Sequence, residues 1–111
     1  IRGRWIIKFP GGGLEWGEGL HDCLKREWQE EMGLEIEVGN HFYTTHFFQP
    51  SAFDDSQVLS IYYRVSFSSL HQPQSVNEGE RVRWVPLQDV SAALFTLPID
   101  KVVGDMLRQT I

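Results

Sequence analysis

The chain has 111 residues, 41% hydrophobic and 13% aromatic, enough to bury one core and no more. Its formal charge is -5, its sequence pI is near 5.2, and no Lys/Arg cluster is present, which argues against a protein that grips nucleic acid through a basic stripe. A single cysteine, Cys23, excludes an internal disulfide, and no signal peptide or apolar run of membrane-spanning length is visible, so a cytoplasmic address is expected.

No internal repeat, linker or low-complexity segment divides the sequence, and one domain over residues 1–111 is expected. Arg4 to Phe9 is apolar and β-branched enough for a strand, which Pro10 and the glycines at 11, 12 and 13 stop. A loop then leads to a helix expected over Leu20 to Met32. Leu20, Leu24, Trp28 and Met32 recur there at four-residue spacing, and Gly33 is a natural terminator. Glu35 to Phe48 alternates as a strand or a bent pair of strands, and Gln49 to Gln57 is a loop. Val58 to Phe67 is the clearest strand and is expected at the centre of a sheet. A polar loop with Pro73 runs from Ser68 to Gly79. It is followed by a strand at Arg81 to Leu87 and a closing helix at Leu97 to Gln109 opened by Pro98. Strands mixed with two helices give an α+β sandwich.

The densest chemistry lies between Gly12 and Leu34, where GGLEWGEGLHDCLKREWQEEMGL holds five glycines and five glutamates. On a helix, residues three and four apart share a face, so Glu27, Glu30 and Glu31 would direct their carboxylates into a common volume. Repulsion among them calls for a cation, and hard oxygen ligands favour Mg²⁺ or Mn²⁺. Since Mg²⁺ usually takes one or two carboxylates together with substrate phosphates, the cluster also points to a phosphate-bearing ligand. An acidic, solvated helix face is the competing reading.

The surroundings of the cluster decide between the two. Gly12, Glu18, Arg26-Glu27, the apolar Trp28, Glu30-Glu31, Gly33 and the aliphatic Leu34 stand at the spacing of the Nudix box with no required position missing. The chain therefore resembles a Nudix hydrolase. Trp5 with FPGGGLEWGE looks like the entry to the box in MutT-type members, with two extra residues between the tryptophan and Pro10. EGERVRWVPLQDV, residues 78 to 90, resembles the segment in which a strand ends in a tryptophan and runs into the last helix.

The resemblance implies an α/β/α sandwich around a mixed sheet. Members usually carry a longer segment, including the first strand, before the PGG loop, whereas nine residues precede Pro10 here, so an N-terminal strand is expected to be missing. It also implies Mg²⁺- or Mn²⁺-dependent water attack at phosphorus, cleaving a pyrophosphate bond in a nucleoside diphosphate linked to another group. The substrate classes are nucleoside triphosphates, nucleotide sugars and ADP-ribose. Glu27 and Glu31 are the first choice for metal ligands, with Glu30 serving a second ion and the Gly11 carbonyl contributing. Glu27, Glu30 and, on the later loop, Glu78 are the candidate catalytic groups. Glu78 is preferred to Glu80 as general base, against a reading of Asn77-Glu78-Gly79 as a solvated turn.

Gly12 and Gly13, with the start of the helix, can present backbone N–H groups to phosphate. Glu18, Arg26 and Gly33 take structural roles, Arg26 bracing the loop through Glu18 because it lies about 100° around the helix from Glu27. Asp100 in LPID resembles the position where MutT-type enzymes hydrogen-bond a base, although an Asp at a helix start also serves the dipole. Phe53 is a candidate base-stacking residue. Trp5, Trp28 and Trp84 are expected in the core, Trp16 covers the metal site or is exposed, and the four histidines show no ligand spacing. Cys23 is expected to be a partly buried, inert thiol.

The partner implied is a small nucleotide-like molecule. No DNA-binding module or membrane contact is expected, and a homodimer is common among such proteins. The alternative is a Nudix-like domain that binds nucleotide or ADP-ribose as a sensor without turnover. Such domains usually lose box acids, and all are present here.

Overall fold

The computed structural model describes residues 5–68 and 74–110. Arg4, His71 and Pro73 fall outside them. In chain order the elements are helix α1 (Leu20–Met32), strands β1 (Glu37–Thr44) and β2 (Ile61–Ser66), two short 3₁₀ turns at Leu87–Asp89 and Ala92–Leu94, and helix α2 (Pro98–Arg108). Helices and a small sheet make the chain α+β.

α1 has the limits that its caps dictate. Gly19 precedes it with an N–H that donates to Asp22 Oδ2 at 3.4 Å, placing an acid in the positive first turn. Gly33 ends it in the left-handed region, φ 64°, and its N–H closes on Gln29 O at 3.0 Å. β1 and β2 form a two-stranded sheet. The hairpin between them stays paired past the strand ends: Thr45 N–H donates to Ser60 O at 2.9 Å, Val58 N–H to Gln49 O at 2.9 Å, and Pro50 bridges Gln57. Pro98 occupies the first turn of α2, where a missing N–H costs nothing.

Two of the expected strands are not formed. Residues 5–9 and 81–87 carry no ladder, because a strand exists only where another backbone satisfies its N–H and C=O groups. Their tryptophans are accordingly not core residues: Trp5 is 67% and Trp84 66% exposed. β2 pairs with β1 alone among the described residues, so it is not a central strand.

The contacts divide the chain into two compact units. The first comprises Ile1–Phe9, Phe42–Tyr62 and Trp84–Ile111. Its core gathers Tyr43, Ile99 and Val103, with Phe9, Val58, Tyr62 and Met106 packed against them. Phe9 stacks on Phe95 with ring centroids 4.4 Å apart and meets Tyr62 edge-on at 5.7 Å.

The second unit comprises Pro10–His41 and Tyr63–Arg83. Trp28 and Met32 of α1 join Leu34 and Ile36 in its core, with Leu24, Val38, Val65 and Phe67 around them. The apolar stripe of the helix thus lies on the sheet residues Val38 and Val65. Each such side chain removed from water contributes roughly 1.5–3 kcal/mol, which fixes the rotation of α1 about its axis and with it the direction of its acidic face.

Candidate active site

All the box residues belong to the second unit. α1 presents Arg26, Glu27 and Glu30 beside the glycine loop, and Arg26 is the hub. Its Nε donates to Glu18 Oε2 at 3.0 Å and its Nη2 to Glu18 Oε1 at 2.7 Å, a two-pronged pair. Nη2 also donates to the Gly13 carbonyl at 2.9 Å, while Nη1 reaches Glu27 Oε1 at 2.9 Å and Glu30 Oε2 at 3.1 Å. The guanidinium therefore touches the two neighbouring acids as well as Glu18, which a count of helix angles from Cα positions would not reveal. The long side chain spans the difference.

This arrangement shows in the titration of the loop. Hydrogen bonding by Arg26, then the backbone N–H of Glu15 on the same carboxylate, brings Glu18 down to about 2. Arg26 is in turn held charged, chiefly by Glu18. Cys23 packs under the same loop, its Sγ 3.6 Å from the Gly13 carbonyl and 3.8 Å from Arg26 Nη2. The side chain is buried, and desolvation raises its pKa above the usual thiol range, so it stands protonated.

Gly12 lies against the Glu27 carboxylate. A Cβ built there would stand 2.4 Å from the Glu27 carboxyl carbon, so only glycine lets that carboxylate lie against the backbone. Gly11, at φ 141°, sits in backbone space that other residues rarely enter. Glu31 is half-buried one turn beyond Glu27, and its backbone carbonyl accepts the Val76 N–H at 2.9 Å. That bond ties the segment carrying Glu78 to the end of α1. Glu78 itself is exposed in a turn closed by Glu80 N–H to Asn77 O, while Asn77 Nδ2 donates to Glu80 Oε2 at 3.2 Å.

Among the described residues no three His, Cys, Asp or Glu side chains are gathered as a ready-made metal cage. Glu27 and Glu30 share the Arg26 Nη1, and the guanidinium relieves the repulsion between these two acids. The donor chemistry nevertheless fits a hard divalent ion. Two neighbouring carboxylates beside a glycine loop would suit Mg²⁺, which usually draws its other ligands from water and substrate, and the space at Gly12 that a Cβ would fill lies against Glu27.

Asp100 and Phe53 belong to the first unit, where both line a cleft of about 120 Å³ with Gln49, Ser60, Tyr62 and Pro98. Asp100 is only 6% exposed, although it lies in the first turn of α2. Tyr62 Oη donates to its Oδ1 at 2.6 Å, and burial pushes the acid above the usual carboxylate range against the opposing pull of Tyr62 and Lys8. Tyr62 was not singled out in the sequence: 38 residues separate it from Asp100, and a strand tyrosine carries no mark of its partner. Phe53 is largely exposed at the hairpin tip, and Trp16 is fully exposed. His21 and His41 both meet Tyr63 edge-on, and His46 pairs with Tyr43 Oη at 2.7 Å, so these three contact aromatic rings.

No helix among the described residues is long and apolar enough to cross a membrane. The family model of the NUDIX domain matches residues 1–106. With the box complete on α1 and its loop, and the match running over nearly the whole sequence, the chain belongs to the Nudix hydrolase family.

Proposed function

We propose that the chain hydrolyses a pyrophosphate bond in a nucleoside diphosphate linked to another group, with nucleoside triphosphates and nucleotide sugars as the favoured substrates. The observation that carries this reading is the Glu27 carboxylate laid against Gly12 and bridged through Arg26 to Glu30, beside a glycine loop.

Glu27, Glu30 and Glu31, with the Gly11 carbonyl, are the groups that would hold Mg²⁺ or Mn²⁺. When bound, the ion offsets charge on the phosphoryl oxygens and makes water a better nucleophile. Gly12 and Gly13 bring backbone close to the diphosphate, and the N-terminal end of α1 favours its negative charge. Glu78 takes the proton from the attacking water. The new oxygen–phosphorus bond forms as the bond to the bridging oxygen breaks, and the second phosphate departs with that oxygen. Arg26 keeps Glu27 and Glu30 in place while anchoring the loop through Glu18.

A panel of nucleoside triphosphates, nucleotide sugars and ADP-ribose, incubated with Mg²⁺ and the protein or its Glu31→Gln and Glu27→Gln variants, tests the proposal. Phosphate or nucleoside monophosphate release that falls by about 10²-fold or more in the variants supports it. Turnover indifferent to both substitutions would sink the metal site, and tight binding without turnover would favour a sensor.

A further inference from the structure

Trp16 is fully exposed, yet the backbone that carries it is pinned on both sides. It stands with Gly17 at the corner of a turn in which the Glu18 N–H donates to Glu15 O at 3.3 Å, and Gly17 has the positive φ, 90°, that the third place of such a turn favours. The Glu15 N–H donates in return to Glu18 Oε1 at 2.8 Å. Glu18 is the carboxylate that Arg26 grips with two prongs, and Arg26 Nη1 also lies 3.6 Å from Glu15 Oε1. That same nitrogen touches Glu27 and Glu30. A fully exposed tryptophan is thus held on a turn that one guanidinium joins to the acids of the candidate metal site.

The size and setting of this surface decide what fits it. A buried indole covers roughly 150–250 Å², and around Trp16 the turn supplies carboxylates, glycine and the exposed Leu14. A stable protein partner needs about 800 Å² on each side. One flat ring needs no more than one indole. The rigid turn lowers the cost of stacking, because the backbone is ordered before a ligand arrives and an indole has only two side-chain torsions to fix. A ring attached to a diphosphate at Gly12 and Glu27 is also tethered, so its meeting with Trp16 is intramolecular.

We propose that Trp16 is the stacking platform for the ring of the nucleoside, and that through it the chain separates ring-bearing diphosphates from ringless ones. The inference rests on the nucleotide reading above and adds the residue that meets the ring. Stacking uses the π-face that every base possesses, so this contact favours nucleosides as a class and makes no choice among bases by hydrogen bonding.

The test uses two non-hydrolysable ligands with Mg²⁺: the methylene-bridged analogue of ADP, and methylenediphosphonate, which has the same bridged pair of phosphorus atoms and no ring. In calorimetric titration the wild type should bind the ADP analogue roughly tenfold or more tighter than methylenediphosphonate, the scale of one stacked base. Trp16→Ala should erase that difference by weakening the ADP analogue alone, and Trp16→Phe should keep most of it. Because the side chain is exposed, both variants should melt with the wild type. Equal weakening of both ligands would mean that the residue only shapes the loop. An unmoved affinity for the ADP analogue, or a wild type that binds both ligands equally, would mean that Trp16 serves something else, such as a protein partner. Each of these results overturns the proposal while the diphosphate reading stands. A wild type that binds neither ligand and hydrolyses no nucleotide in the panel overturns that reading as well.

Discussion

Arg26 grips Glu18 through two parallel hydrogen bonds, Nε to Oε2 at 3.0 Å and Nη2 to Oε1 at 2.7 Å, and so joins the middle of α1 to the loop before it. A lysine keeps the charge but has no fork to match the carboxylate. Arg26→Lys should move the urea midpoint of unfolding to lower concentration with the slope of the transition unchanged. An unshifted midpoint would mean that the fork contributes nothing.

The depressed Glu18 gives the pH dependence a definite sign. In the unfolded chain this acid titrates near 4.5, whereas in the folded loop it stays charged down to about 2. Between those values the unfolded state binds the extra proton, so the stabilisation is fully present above pH 4.5 and drains away as the pH falls toward 2. Glu18→Gln should flatten the melting temperature against pH across that window relative to the wild type. Parallel curves would refute the assignment.

Gly12→Ala separates the acid's position from the stability of the fold. The added methyl meets the far end of a flexible side chain, so Glu27 can swing aside at little cost to folding, but it must leave the place it now holds. A melting temperature within a few degrees of wild type, with hydrolysis and Mn²⁺ binding each reduced about tenfold or more, is the expected outcome. Full activity in a well-folded variant would show that the contact is dispensable.

Gly104→Ala is the opposite case. A Cβ on α2 would stand 2.8 Å from both the Phe95 ring and the Ser91 backbone oxygen, and neither yields as a carboxylate tip does. The loss should be about 1–3 kcal/mol in chemical denaturation. A variant as stable as wild type would imply that α2 shifts freely on the 3₁₀ turns beneath it.

What could be read from the sequence was what local chemistry determines. α1 runs over the residues expected because Gly19, Asp22 and Gly33 cap it and its apolar stripe is strongly periodic. α2 follows from Pro98 in the same way. The core of β2 was evident from its β-branched and aromatic run. The segments around Trp5 and Trp84 misled because a strand also needs a partner, which composition does not supply. In the box, the residue types and their spacing were plain, but the reach of Arg26 to Glu27 and Glu30 depends on side-chain rotamers. The Tyr62–Asp100 pair was hidden for a different reason, being made by tertiary folding alone.

The bond from Val76 N–H to the Glu31 carbonyl makes one structural element the stopper of another. The last carbonyls of a helix have no partner within it, and here one is satisfied by a segment 45 residues downstream of the acid whose oxygen it covers. The segment bearing Glu78 can therefore detach only by uncapping the helix that bears Glu27, Glu30 and Glu31. Hydrogen exchange at the Val76 amide would report that event directly, its protection rising and falling with the final turn of α1 rather than with the loop around it.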